Sequence, residues 1–481
     1  MKTFTMKKRT IFLSVVLCFL TLAVLPLQGQ TPKSMRGHRE WRRRGLMNGN
    51  LVHTLFWNYC EVGSYPDDPS GCWPSPERHY LDDITLIVSV ETTNRNGEII
   101  HPMETQYREF VDVSPEGVPW GFEARPNWFN MDKESNTSPA MSNNPNSWPD
   151  YWLDKPLSWA GHWNGYFGKG IYNADLETVF VFDDDPDKEP NLFMNFYCDS
   201  RDSTRGGVGL VVKARGFQWS QVLAEDCIFW LYDITNESNT DYLKSYFAQY
   251  IDWGIGGVGS DVQNIGEYDL DLDIAFAYGP PGAVGTPGNW RPIGYAGYAF
   301  LESPGIDTDG KDNDNDGMVD ESRESNGPGE FLDEYPYGIN NVEQFIKVYK
   351  YEPRPHWEND EDCDWEPYTD VNGNGVWDPD EPLNDDVGAD GVGPYDLHYD
   401  GPDDGEGDGK PTNGEPNYNA TDPDESDQIG LTGFDIFPTH RYELINDEEN
   451  WGVFSRMPPP MSEIVQPNNL SMFFSSGPFP L

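Results

Sequence analysis

Between residues 51 and 301 apolar and polar positions recur with the short period of β-strands. Residues 84–93 form an apolar run that leads into Asn94-Arg95-Asn96-Gly97 and then residues 98–101. This is a strand, turn, strand pattern, with Asn-Gly as the hairpin signal. Residues 178–182, 208–215, 226–235 and 242–252 are further strand candidates, and residues 295–301 give a shorter, aromatic-rich one. Residues 269–278 open with strict alternation: Asp269, Asp271 and Asp273 on one side, Leu270, Leu272 and Ile274 on the other. No long apolar helical period interrupts the series, and turn signals are frequent, as in sandwiches. The pattern predicts a mainly β fold with a β-sandwich-like domain over 51–301.

The composition changes abruptly at residue 302. The span 302–435 holds 39 of the chain's 82 acidic residues and only six basic ones, a net charge of −33. One apolar stretch within it, 344–351, reads as a strand. Residues 436–481 return to globular β composition, and the Ser-Gly-Pro-rich ending is expected to be the truncated end of a longer protein. The architecture expected is therefore a β-sandwich-like domain with an acidic, loop-rich calcium-binding insertion.

Charge narrows the function classes. The 481 residues carry a net charge of −50, which repels phosphates and excludes nucleic acid and anionic membrane surfaces as partners. Cations are favoured instead. Aromatic residues make up 14% of the chain, too many for a purely disordered acidic protein.

Residues 1–29 read as an export signal: Lys7, Lys8 and Arg9 precede an apolar run over 11–27, and Gly29 offers a small residue for cleavage. No later stretch has the ~20 apolar residues of a membrane-spanning helix. The chain is expected to be secreted or displayed on the outer cell surface. Residues 30–50 are basic, with Arg42, Arg43 and Arg44 in sequence, and read as a solvated mature N-terminus. Beyond the signal, Cys60, Cys72, Cys198, Cys227 and Cys363 make an odd set, so at least one thiol is free or intermolecular. Cys60 and Cys72 enclose a short loop suited to a disulfide. Cys198 and Cys227 either pair between strands or are buried thiols.

Two windows in the acidic span fit the calcium-loop template of oxygens at positions 1, 3, 5 and 9, a backbone carbonyl at 7, Gly at 6 and Glu at 12. The first supplies Asp370, Asn372, Asn374, the carbonyl of Val376, Asp378 and Glu381. The second supplies Asp404, Glu406, Asp408, the carbonyl of Lys410, Thr412 and Glu415, at a constant offset of 34 residues. Alternate side chains in a tight loop converge on one point, Gly makes the sharp turn and the distant Glu closes a shell of hard oxygens. A third, less complete loop offers Asp312, Asp314, Asp316, the carbonyl of Met318 and Asp320, with closure left to Glu321, Glu324 or a remote acid. Glu381-Pro382 and Glu415-Pro416 disfavour an exiting helix. The loops therefore resemble the helix-free calcium loops of dockerin-like and thrombospondin-type-3-like secreted proteins.

Other signals are weaker. Asp269, Asp271 and Asp273 share a strand face that either holds a further ion or guards a sheet edge with charge. Gly254-Ile-Gly256-Gly257-Val-Gly259 matches a nucleotide-binding glycine pattern but lacks the following helix, so it reads as a β connection. Trp120, Trp128, Trp148, Trp152, Trp159 and Trp163 crowd one region and serve either as sugar-stacking rings or as core. No HExxH, GxSxG or P-loop is present, and no catalytic residue is assigned.

Three stretches together resemble a family of large, uncharacterised secreted bacterial surface proteins: 215–226 running into Phe229-Trp230, then 269–278, then Gly414-Glu415-Pro416-Asn417 leading to 424–434. In that family a β-rich, aspartate-rich region precedes fibronectin type III modules and sometimes a type IX sorting tail. The resemblance implies no established activity. The expectation is a calcium-stabilised structural or adhesive protein whose partners are extracellular glycans or cell-surface components. The alternative is a carbohydrate-binding or polysaccharide-degrading protein that uses the Trp-rich region.

Overall fold

The computed structural model describes residues 31–481 except 107–112, 133–135, 258–262, 271, 304–309, 313–315, 323–326, 333–337, 397–398, 400, 419–429, 439–445 and 459–467. The export signal, Asp271, Asp314 and Glu324 therefore lie outside the described residues. The chain divides into two units, Met1–Arg36 and Gly37–Leu481. The described part of the first carries one 3-10 turn, Lys33–Met35.

The second unit is mainly β and its sheets are antiparallel, as the pattern of the sequence predicts. The largest sheet has the strand order Arg44–Met47, Thr54–Trp57, Glu61–Gly63, Leu81–Val90, Ser245–Trp253, Leu470–Phe479, Gly433–Pro438, with Met103–Thr105 also paired to Leu81–Val90. A second sheet runs Phe229–Asn236, Leu210–Gln218, Leu176–Asp183, Glu123–Ala124, with Ala140–Met141 also on Leu176–Asp183. A third holds Ile265–Asp269, Ile274–Tyr278 and Tyr295–Ala299.

The sheets share one core. Leu86, Val88 and Val90 of the first sheet, Phe180, Phe182, Leu210 and Val212 of the second, and Ala275 and Ala277 of the third belong to a single buried cluster. Phe56 crosses between sheets, 5.7 Å from the Phe180 ring and 5.5 Å from Trp230. Gly45 sits under that ring, and a Cβ there would lie 2.2 Å from Phe56. The other face of the first sheet is also covered. Ile87, Tyr246, Ala248, Tyr250 and Phe473 pack with Val453 and Phe454 of the helix Asp447–Phe454. Central strands buried on both faces read as continuous apolar runs, which is why 84–93 was legible without alternation.

Several expectations are corrected. The alternating run at 269–278 is a hairpin, not one strand: Asp269 pairs with Ile274, the chain turns between them, and Asp273 has a φ of +48°. The Asp273 carboxylate accepts from the Leu431 amide at 2.7 Å. The stretch 344–351 is the helix Val342–Tyr349. Val342, Phe345, Ile346 and Tyr349 follow the 3.6-residue period, and Asn341 caps its start by accepting from the Gln344 amide. The basic piece is folded in rather than solvated. Arg42 grips Glu123 through two bonds of 2.8 and 2.7 Å, and Arg44–Met47 is the edge strand of the first sheet. All five described cysteines are free, so the 60–72 disulfide is absent. Cys60 points into the main core, whereas the Cys72 thiol lies 3.7 Å from the Ser70 carbonyl. Burial pushes the thiols of Cys60 and Cys198 up to about 12.

The tryptophans are interior. Trp128, Trp152, Trp159 and Trp163 form their own buried cluster with Val179, Val181 and Val211 of the second sheet, and Trp120 is buried too. Trp148 is half-buried against the cluster, and the Trp163 indole donates to Glu177 at 2.7 Å. Five of the six rings are thus buried, and Trp148 keeps part of its surface exposed. Gly254 to Gly257 make a tight turn after Ser245–Trp253, as expected of a β connection.

Two consequences are measurable. Phe56→Ala removes a fully buried ring that bridges sheets and should cost about 3–5 kcal/mol in denaturant unfolding. Asp83 and Asp252 lie opposite each other in register. Burial, then the charges of Asp252, Glu61 and Asp82, holds the Asp83 carboxyl well above the usual carboxylate range. The unfolded chain ionises near pH 4 while the folded chain resists, so the contribution of Asp83 to stability falls as pH rises. Asp83→Asn should therefore gain stability relative to the parent between about pH 4.5 and pH 8 in urea titrations; a gain that shrinks over that range would contradict the assignment.

Candidate metal centre

The chain leaves the third sheet after Tyr295–Ala299 and re-enters the first sheet at Gly433–Pro438. The acidic span is thus an insertion between strands of one folded unit. Few of its described residues are in regular structure, so their backbone N–H groups need other acceptors. Carboxylates supply them.

In the first loop Asp370 accepts from the amides of Gly373, Asn374 and Gly375 at 2.6, 3.2 and 2.7 Å. These bonds, that from Gly375 foremost, hold its carboxyl below the usual range. Asn374 accepts from the Val376 amide at 2.9 Å. The buried Glu381 folds back onto the amides of Val371, Asn372 and Asp378 at 2.9, 3.1 and 3.0 Å. The side-chain amides of Asn372 and Asn374 both reach Asp378 Oδ2, at 2.6 and 2.8 Å. All five polar side chains of the template thus meet in one loop.

The second loop has the same closure with a different first residue. Asp408 and Gly409 donate not to Asp404 but to Asp386, at 3.2 and 2.8 Å. Asp408 accepts from the Lys410 amide at 2.9 Å, and Glu415 accepts from Gly388 and Thr412, both at 2.8 Å. Each bond matches one in the first loop. Asp386 takes the place of Asp370, Gly388 that of Asn372, Asp408 that of Asn374, and Thr412 and Glu415 those of Asp378 and Glu381. The residues between Gly388 and the Glu406 region are an excursion closed at its base, where the Ala389 amide meets the Asp404 carbonyl at 2.9 Å. The Glu406 carboxylate accepts from the Tyr399 hydroxyl at 2.9 Å. Burial raises the carboxyls of Asp386 and Glu415, the latter to about 8.

The third loop repeats the motif. Asp312 accepts from Asp316 and Gly317 at 3.1 and 3.2 Å, and Asp316 accepts from the Met318 amide at 2.8 Å. Met318 is buried with Ile339, Phe345 and Cys363 against the helix Val342–Tyr349. Asp320 turns back to accept from the Gly310 amide at 2.8 Å, while Glu321 is buried.

A further group, unassigned from the sequence, lies between the second and third loops. Asp360, Asp362 and Asp364 bring one carboxylate oxygen each within 4.8 Å of one another. Asp362 is 6% exposed, and Oδ1 of both Asp362 and Asp364 is buried without a hydrogen bond. Arg354 is adjacent, but its bonds go to the carbonyls of Cys363, Asp364 and Trp365 and to Glu366. Burial, with mutual repulsion behind it, pushes Asp360 to about 7 and Asp362 to about 8. Asp364 is pushed to about 6 by burial and the charge of Asp385. On one side Cys363 enters the small core under the third loop; on the other, the Trp365 indole donates to Glu415 of the second loop at 3.0 Å. The alternating DxDxD at 360–364 was the available signal, but it has neither the Gly nor the closing Glu of the loop template. Asp386 escaped because the template counts contiguous residues.

The insertion is pinned to the β unit by a buried ion pair, Lys169 Nζ to Asp390 at 3.1 Å. Comparison with family models, curated proteins and solved structures returns no match for the chain.

Glu381→Ala removes the acceptor of three amides. Hydrogen exchange at Val371, Asn372 and Asp378 should rise about 5- to 150-fold, given the ~1–3 kcal/mol carried by each lost acceptor. Unchanged protection there would show that the loop is held otherwise.

Proposed function

We propose that the chain is an exported, calcium-stabilised β-protein of structural or adhesive role at the cell exterior, with the acidic insertion as its calcium-binding element. The observation that carries this reading is one hydrogen-bond pattern repeated in three loops, in which Asp312, Asp370 and Asp386 each turn a carboxylate onto the amides at the Gly turn. Such loops gather side-chain oxygens and one backbone carbonyl around a point, the donor set of a hard cation of high coordination number. A net charge of −33 over 302–435 gives the cation its electrostatic reason. Val376, Lys410 and Met318 would contribute backbone oxygen; the side chains of Val376 and Lys410 are exposed and free to vary, whereas Met318 is held by the small core beneath its loop. The export signal and the resemblance to secreted surface proteins support the location. An adhesive role is consistent with the lack of a catalytic motif and implies partners among extracellular glycans or cell-surface components.

Extracellular calcium modules bind with Kd of roughly 10⁻⁴ to 10⁻³ M, so 10 mM calcium adds about 1.4 to 2.7 kcal/mol per site. Calorimetry should show a higher Tm in calcium than in EDTA, and calcium should protect the insertion from limited proteolysis. Asp386→Asn should weaken the calcium response as Asp370→Asn does, whereas Asp404→Asn should leave it near the parent's. Equal Tm in calcium and EDTA, with cleavage starting in the sheets, would overturn the proposal.

A further inference from the structure

A second group of donors lies far from the acidic insertion, at the start of the first sheet. Cys72 sits on a β-bridge to His53 on one side and to His79 on the other. The chain between 72 and 79 is a short excursion, closed by the Trp73 amide on the Arg78 carbonyl at 2.9 Å. Cys72 and His79 are therefore cross-strand neighbours held by backbone pairing. Asp68 precedes them, and its carboxylate lies 3.8 Å from His79 Nδ1. The Cys72 sulfur, a His79 ring nitrogen and an Asp68 oxygen all fall within 4.8 Å of one another.

The imidazole is fixed from behind. His79 Nε2 meets Asp82 Oδ1 at 2.9 Å, and the edge of the Tyr65 ring packs against it with centroids 5.3 Å apart. Gly254 presses on the same pair: a Cβ there would stand 2.4 Å from Asp82 Oδ1 and 2.7 Å from the His79 ring. With Nε2 committed to a carboxylate, Nδ1 is the nitrogen left to face Cys72 and Asp68. A carboxylate on the far nitrogen is the arrangement that orients metal-binding histidines and raises their basicity.

Two chemistries use a Cys, a His and an Asp together. A nucleophilic cysteine must be reached by its substrate, and the side of Cys72 is closed, with the residue 1% exposed. The exposed member is Asp68, whose side chain is 70% accessible. An ion can enter past a mobile carboxylate where a substrate carbonyl cannot. One sulfur, one imidazole nitrogen and one carboxylate oxygen suit a borderline transition metal rather than calcium, which takes oxygen alone.

We propose that Asp68, Cys72 and His79 bind a zinc ion, with Asp82 as the residue that positions His79. Binding releases the thiol proton to solvent and leaves one coordination position for water on the Asp68 side. The site is independent of the calcium reading.

Cobalt(II) is the probe. Titrated into the full chain in calcium buffer after removal of transition metals, it should give a thiolate-to-cobalt charge-transfer band and the ligand-field bands of a four-coordinate ion, saturating at one equivalent. Zinc should bleach both. Cys72→Ser should abolish the charge-transfer band, and Cys60→Ser and Cys198→Ser should keep it. Asp68→Asn, at an exposed side chain that folding does not need, should weaken cobalt binding at least about tenfold. Asp82→Asn should weaken it about 10–100-fold while the band survives at high cobalt. Zinc should also protect Cys72 from alkylation after unfolding is begun in mild urea. The proposal fails if no charge-transfer band appears, if the band persists in Cys72→Ser, or if Cys72 is alkylated equally fast with and without zinc in mild urea.

Discussion

The strand Ser245–Trp253 is paired on both edges, along its whole length to Leu81–Val90 and from Ser245 to Asp252, across one bulge, to Leu470–Phe479. Those three strands come from the beginning, middle and end of the described chain. Their pairing brings Met472 and Phe474 into the same core as Leu86 and Val88, and everything between them must start and finish within reach of this ladder. The acidic span is held in that way. Among its described residues it has only a small core of its own; it follows the last strand of the third sheet and ends on Gly433–Pro438, which pairs with Leu470–Phe479 of the ladder.

That constraint lets a strongly charged segment stay folded. Carboxylates that would drive an isolated chain apart are instead used as acceptors for backbone amides at tight turns, several of them buried. The small core of Met318, Ile339, Phe345 and Cys363 is the insertion's own apolar anchor, and Trp365 extends it to Glu415. The triad Asp360, Asp362 and Asp364 sits between Cys363, in the core under the third loop, and Trp365, bonded to the second, so those two loops are joined rather than hung as separate beads.

Much of the β unit was legible because its signals are local. The Asn94–Gly97 turn needs only its own four residues, and the buried runs at 178–182 and 208–215 announce themselves by composition. What was lost depends on partners distant in sequence. Strict alternation at 269–274 is equally a strand and the two arms of a hairpin, and only pairing decides. Eight residues of helix are too few to separate a 3.6 period from an apolar strand, which hid Val342–Tyr349. Counting tryptophans could not say that Trp152 and Trp163 face the second sheet rather than solvent. In the acidic loops the turn glycines and closing glutamates could be read by spacing, but Asp386 reaches its place only because the chain makes an excursion and returns.

That excursion has a mechanical meaning. Asp386 and Asp408 are joined across a closed base, so the 22 residues from one to the other contribute almost nothing to the end-to-end length of the folded insertion. Fully drawn out, they span about 75 Å. A tensile load carried through the insertion would meet the Asp386 clasp before it met the interleaved strands of the first sheet. Opening that clasp would pay out its full slack only once the buried Lys169–Asp390 pair, which ties the excursion to the β unit, had parted as well, so the split loop is a reserve of length with a second lock.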